Sequence, residues 1–144
     1  MNRYKGIVAH HLRKIPAESK VFFSAGEIDC RRDEGIIQAS VKSQTDIGEI
    51  TKKKVRLYVS ALVDLNYKTQ HDLHIVNVPA PMVPERGRNA EVFDNRLLIK
   101  NFNFELDKQV KRHNLKLIDV YKFTKGTDGF STEVYHCDYF HLGN

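Results

Sequence analysis

Cysteine is scarce in this sequence, and long apolar runs are absent. Cys30 and Cys137 lack the C-x-x-C spacing of a redox motif or of a four-thiolate zinc site. Free thiols are typical of a reducing compartment, so we expect a cytoplasmic protein. No segment approaches the ~20 apolar residues that a membrane-spanning helix needs, and the run "IVA" near the N-terminus is too short for a signal peptide. We therefore expect no membrane association and no secretion.

The composition is that of a globular protein. Its 144 residues are 41% hydrophobic, which is enough for one domain, residues 1–144, with a single core. The formal charge of +5 would attract polyanions, but the dense basic run "TKKKVR" (51–56) would wrap around a helix. We therefore expect a solvated helical face there, and nucleic acid is not an expected partner.

Hydrophobic periodicity predicts alternating helices and strands. Apolar residues at three- and four-residue spacing indicate helices, and short apolar runs bounded by polar residues, Gly or Pro indicate buried strands. The predicted helices are residues 3–15, 45–67 and 90–113, and the predicted strands are residues 20–26, 72–81 and 116–123, followed by a polar loop to the C-terminus. On the third helix, the residues expected to face inward are Val92, Phe93, Leu97, Phe102, Leu106 and Val110. This alternation predicts an α/β fold in which helices cover a parallel sheet.

Polar clusters follow the predicted strands, where ligands bind in parallel sheets. The first cluster is "GEIDCRR", and Gly26 would let the chain approach a ligand while its amide donates to a developing anion. Glu27, Asp29 and Arg31 are, with Gly26, the candidate oxyanion or substrate-edge residues. They are charged residues at the end of a buried strand, where unpaired charge is costly. An acid–arginine network at the edge of the sheet is the alternative interpretation.

Asp138 and His141 lie in the last polar cluster, "HCDYFH". A carboxylate that accepts from Nδ1 of a histidine fixes the tautomer whose Nε2 acts as a general base. Two alternatives stay open: a surface turn with a solvated His141, and a metal site that adds His136 and Cys137. The sequence offers no second ligand pair, so we expect neither a metal nor another cofactor.

Together these clusters resemble two motifs of the SGNH (GDSL-type) hydrolases. "GEID" (26–29) occupies the place of the family's Gly-x-Asn-Asp block, and "DYFH" (138–141) that of its final Asp-x-x-His block. The resemblance implies a three-layer α/β/α sandwich with a flavodoxin-like parallel sheet, and hydrolysis of a small-molecule or glycan ester by a serine nucleophile. It assigns Asp138 and His141 as acid and base, and Gly26 to the substrate edge.

The sequence departs from this family at two points. Ile28 stands where the oxyanion-hole asparagine belongs, and its side chain donates no hydrogen bond. The Gly-Asp-Ser block that carries the nucleophile is absent, so the resemblance implies a partial domain, truncated at its N-terminal strand and its C-terminal helix. Ser24 and Ser131 are the serines considered as replacements, although both are ordinary polar positions.

Two functional hypotheses follow. The first is an esterase that carries the Asp/His half of a Ser-His-Asp site, inactive alone or completed by another chain or a second copy through an unpaired sheet edge. The second is a non-catalytic module that binds an anionic glycan, phosphate or nucleic acid. The basic residues of this second hypothesis are Lys52, Lys53, Lys54, Arg56, Arg86 and Arg88.

Overall fold

The fold is built from parallel strands and helices that alternate along the chain. A computed structural model describes residues 3–31, 34–82, 95–136 and 142–143. The strands are β1 (Lys20–Ser24), β2 (Asp72–Val76) and β3 (Lys116–Ile118). The helices are α1 (Arg3–Leu12), α2 (Gly35–Ser43), α3 (Ile47–Thr69), α4 (Asn95–Arg112) and α5 (Val120–Thr124).

The strands form one sheet in the order β1-β2-β3, with β2 in the centre. Both pairs are parallel, and Phe22 of β1 and Lys116 of β3 are each in register with His74 of β2. Parallel neighbours need crossover connections, and α2 with α3 joins β1 to β2 while α4 joins β2 to β3. The predicted α/β class with a parallel sheet is confirmed.

One face of the sheet packs against α3 and α4. Leu73 and Ile75 of β2 are buried, as the alternation of side chains along a strand requires when one face meets the core. They form one cluster with apolar residues at helical spacing on α3 and α4. The helical members of this cluster are Val55, Val59, Leu62, Leu98, Ile99, Phe102, Leu106 and Val110.

The opposite face of the sheet carries polar residues and an exposed aromatic ring at its amino end, and Val76 and Ile118 at its carboxyl end. Phe22 is 58% exposed, and its ring centroid lies 5.0 Å from that of His74. Asp72 accepts from Lys116 Nζ at 2.8 Å and lies 3.1 Å from His74 Nε2. Of the predicted three layers, the described residues therefore define the sheet and the helical layer of α3 and α4.

Helix α3 matches its predicted position because strong local signals mark both ends. The Asp46 carboxylate accepts from the backbone N–H of Glu49 at 3.1 Å, which caps the first turn. Gln70 adopts the left-handed conformation that ends many helices, with φ of 52°, and its N–H donates to Asn66 O. None of the helices in the described ranges has an apolar stretch long enough to traverse a bilayer.

Two of the predicted strands were too long, and one helix was missed. The strand predicted to span residues 116–123 ends at Ile118, because the Asp119 carboxylate accepts from Lys122 N and starts helix α5. The strand predicted for residues 72–81 ends at Val76. The polar stretch after "GEIDCRR" contains helix α2, which the sequence prediction missed.

Candidate functional site

Gly26 lies just beyond the carboxyl end of β1 in a conformation that disfavours other residues. Its φ is 107°, and a Cβ atom there would lie 2.5 Å from two ring carbons of Phe102 and 3.0 Å from Cγ2 of Val78. The space next to its Cα is therefore filled by core side chains. This close packing is a structural reason for glycine at the position, beside the predicted role at the substrate edge.

The charged residues that follow Gly26 are joined in ion pairs. Arg31 donates to both carboxylate oxygens of Glu27, at 2.8 and 2.9 Å, in a bidentate and half-buried pair. Lys54 of α3 lies 2.5 Å from Asp29, so the turn is tied to the helix that covers the sheet. The acid–arginine network considered as the alternative for this cluster is present.

Cys30 closes the same turn and is buried at 2% exposure. Burial raises the pKa of its thiol far above the usual value, and the neighbouring carboxylates of Asp29 and Glu27 raise it further. Only the thiolate is a strong nucleophile. Cys30 is therefore an unreactive core residue, chiefly because its thiol is buried.

Side chains from other elements hold the segment that follows β2. Asn103 of α4 accepts from Val78 N at 2.9 Å and donates to Val78 O at 2.7 Å. Thr124 of α5 accepts from Ala80 N at 2.9 Å, and Asn77 accepts from Tyr121 N at 3.0 Å. The Asn103 and Thr124 side chains thus satisfy the backbone groups of Val78 and Ala80, which lie beyond the end of β2, and the Asn77 side chain satisfies the backbone N–H of Tyr121.

The loop that follows α5 lies against the same segment. Ser131 pairs with Lys125 across the loop, and its N–H donates to Pro81 O at 2.8 Å. Gly26 contacts Val78, three residues before Pro81. Both the turn after β1 and the loop after α5 therefore meet at the carboxyl end of β2, as the sequence predicted for the ends of parallel strands.

Ser131 and His136 form a hydrogen-bonded pair in this loop. Ser131 Oγ lies 2.8 Å from Nδ1 of His136 and accepts from Glu133 N at 3.0 Å. Ser131 is 8% exposed and His136 is half-buried. The sequence analysis considered Ser131 and His136 separately. Their Ser-x4-His spacing within one loop is the weak signal that could have predicted the pair.

The predicted acid–base pair, Asp138 and His141, lies outside the described residues. The residues on either side of this segment are described: Leu142 pairs with His136, and Gly143 N donates to Tyr135 O at 2.7 Å. Cys137, which also belongs to the alternative metal site, likewise lies outside the described residues. Within the described ranges, no three His, Cys, Asp or Glu side chains are grouped closely enough to hold a metal ion.

An open, basic cleft of about 370 Å³ adjoins the loop. It lies between the first turns of α4, the helix α5 and residues 125–129, and three cationic side chains line it: Arg96, Lys100 and Lys125. Sequence analysis missed this group, because Lys125 is distant in the chain from Arg96 and Lys100.

The basic run on α3 is divided between two environments. Lys52, Lys53 and Arg56 are exposed, whereas Lys54 is paired with Asp29. Thr51 and Val55 face the core, so the run wraps around the helix as predicted. Arg86 and Arg88 lie outside the described residues.

No protein-family model and no curated protein sequence matches this chain. The resemblance to the SGNH hydrolases therefore stays a prediction.

Proposed function

We propose that this chain is an SGNH-like domain that hydrolyses an acyl ester at the carboxyl end of its sheet, with Ser131 as the nucleophile. The observation that carries the proposal is the 2.8 Å contact between Ser131 Oγ and His136 Nδ1. A serine hydroxyl is a weak nucleophile until a base within hydrogen-bond reach accepts its proton. Asp138 and His141 complete the proposed acid–base group.

In the proposed reaction, Ser131 Oγ attacks the carbonyl carbon of the ester and its proton passes to the unprotonated Nδ1 of His136. The C–O bond to the alcohol breaks, and the imidazolium gives the proton to the leaving oxygen. Water then hydrolyses the acyl-serine by the reverse sequence of proton transfers, which regenerates both residues. Since Ser131 is 8% exposed, the turn from Ser131 to His136 has to open before an ester reaches Oγ.

The residues that flank the Asp-x-x-His motif support a role for it in the proposed reaction. His136, which contacts Ser131 Oγ, pairs with Leu142 on the other side of the motif. We expect Asp138 and His141 to act as the acid and base that the motif assigns. Completion of the site by another chain through the edge of β1 stays a prediction.

The experiment is an esterase assay of the purified chain on p-nitrophenyl acetate. Because a general base contributes about 10²- to 10⁴-fold, we expect Ser131→Ala and His136→Ala to lower the rate at least about 100-fold. His141→Ala and Asp138→Asn should also lower it, and the wild-type rate should depend on pH near neutrality, as expected of a histidine base.

Surface serines and histidines also react with this activated ester, so matched controls are needed. Ser43→Ala and His10→Ala remove exposed residues of the same types, and their rates should equal that of the wild type. Circular dichroism of each variant confirms that it is folded. A Ser131→Ala variant that is folded and as active as the wild type would exclude Ser131 as the nucleophile.

A further inference from the structure

The basic cleft beside the loop contains two lysines that form no ion pair with any described residue, Lys100 and Lys125. The Lys125 ammonium lies 5.5 Å from the centroid of the Tyr121 ring. Other lysines are ion-paired, for example Lys54 with Asp29 and Lys116 with Asp72.

The third cation, Arg96, is held in a fixed position. Its guanidinium lies 4.2 Å from the centroid of the Phe130 ring and donates to Asp128 O at 2.9 Å. A cation that stacks on an aromatic ring loses little further conformational freedom when it binds a ligand. The cleft therefore contains one preorganised cation, Arg96, beside two exposed lysines.

Among the described residues that line the cleft, the one carboxylate is that of Asp128, and it is engaged in its own loop. Asp128 Oδ1 accepts from Phe130 N at 3.0 Å. The positive charge of Lys100 and Lys125 therefore exceeds the negative charge of the described lining, which attracts an anion. The hydroxyl of Thr127, which also lines the cleft, is a hydrogen-bond donor for such an anion.

We propose that this cleft binds the phosphate group of a small phosphorylated molecule. A phosphate monoester carries close to two negative charges near neutral pH, and arginine and lysine are the side chains that proteins use to bind it. The volume of about 370 Å³ is within the range of small-molecule sites and exceeds what a bare phosphate fills. The remaining space, bordered by Tyr121 and Leu97, accommodates the rest of the molecule.

The proposal does not depend on ester hydrolysis, because it rests on different side chains. Lys100 and Lys125 supply charge in the cleft, whereas Ser131 and His136 supply the proposed nucleophile and base. Loss of either function leaves the other testable.

The test is a titration of the ¹⁵N-labelled chain with glycerol phosphate and, separately, with inorganic phosphate, at constant ionic strength. We expect both anions to shift the amide signals of Gly126, Thr127 and Gly129, with glycerol phosphate binding at least as tightly. Lys100→Ala/Lys125→Ala should weaken binding roughly tenfold, because two of the three cations are lost. Lys14→Ala/Lys42→Ala makes the same change in net charge at exposed lysines that do not line the cleft, and should bind like the wild type.

Three outcomes would overturn the proposal. The first is no shift of these amide signals, or the same shift with chloride. The second is equal weakening in the two double variants, which would show a general effect of net charge. The third is binding of a single-stranded oligonucleotide that is tighter than that of glycerol phosphate and lost in Lys100→Ala/Lys125→Ala, which would assign the cleft to nucleic acid.

Discussion

Asn103→Leu is expected to destabilise the protein more than any exposed substitution on the same helix. Asn103 is 7% exposed and Val78 is 3% exposed, and the amide makes both hydrogen bonds of the Val78 backbone. Leucine has a similar volume but leaves that N–H and C=O without partners. Each unsatisfied buried group costs about 1–3 kcal/mol. Since leucine recovers some free energy by burying apolar surface, we expect a net loss of about 3 kcal/mol.

Urea unfolding followed by circular dichroism measures this loss. The midpoint should fall while the slope of free energy against urea stays unchanged, because the folded state keeps its extent of burial. In thermal unfolding a loss of this size corresponds to a decrease of about 10 °C in Tm for a chain of this length.

Asn101→Leu is the matched control, because Asn101 lies exposed on the same helix. Its free energy of unfolding should change by no more than about 0.5 kcal/mol. If Asn103→Leu changed the free energy of unfolding as little as this control, the two hydrogen bonds between Asn103 and Val78 would not stabilise the end of β2.

Two further predictions concern the turn after β1 and the open face of the sheet. Gly26→Ala should lower the free energy of unfolding by about 2–4 kcal/mol, because the added Cβ would overlap the Phe102 ring at a φ of 107°. The control is Gly6→Ala on α1, where nothing lies within 4 Å of the added Cβ, and it should leave the free energy of unfolding unchanged or raise it. Similar effects of the two variants in urea unfolding would contradict this explanation. The pKa of Asp72 is lowered chiefly by the hydrogen bond from Lys116, and then by that from His74. The ionised Asp72 therefore contributes stability above the unfolded-state pKa of about 4, and this contribution is lost as the pH falls through the lower folded-state pKa. Asp72→Asn should therefore be less stable than the wild type near pH 7 and lose less stability on acidification, and parallel acid-unfolding curves for the two proteins would refute this.

Hydrophobic periodicity predicted the elements that carry the core, because α3 and α4 bury long regular stripes. Phe102, Leu106 and Val110 were all predicted to face inward, and all are buried. Leu97 was predicted with them and is 58% exposed. It precedes Phe102 by five residues, which places it far around the helix from the stripe, and Leu98 and Ile99 occupy the buried positions instead.

The ends of the strands could not be predicted in the same way. Apolar residues continue past Val76 and Ile118, so the pattern alone extends both strands too far. Strand β3 ends at a local signal, the Asp119 carboxylate that caps helix α5. Strand β2 ends where side chains from distant parts of the chain replace the sheet's hydrogen bonds. Asn103 lies 25 residues from Val78, and Thr124 lies 44 residues from Ala80. Such pairings depend on the finished fold, and no local pattern reports them.

The candidate site was predictable in its location but not in its pairings. Polar residues at the carboxyl ends of parallel strands indicated where the turn after β1 and the last loop would meet, and both contact the segment after β2. The partners within this region were not predictable. Glu27 was considered as a substrate-edge residue, and the structure pairs it with Arg31 in a bidentate contact.

These pairings divide the polar residues at this end of the sheet into two groups. Glu27, Asp29 and Asn103 satisfy other groups of the same chain, so their presence is explained by folding alone. A charge that the described structure leaves unneutralised, such as that of Lys100, has no such explanation. An exposed lysine gains little stability from its position. The proposed anion site gives Lys100 and Lys125 a shared role in one cleft, and the comparison of the two lysine double variants tests that role directly.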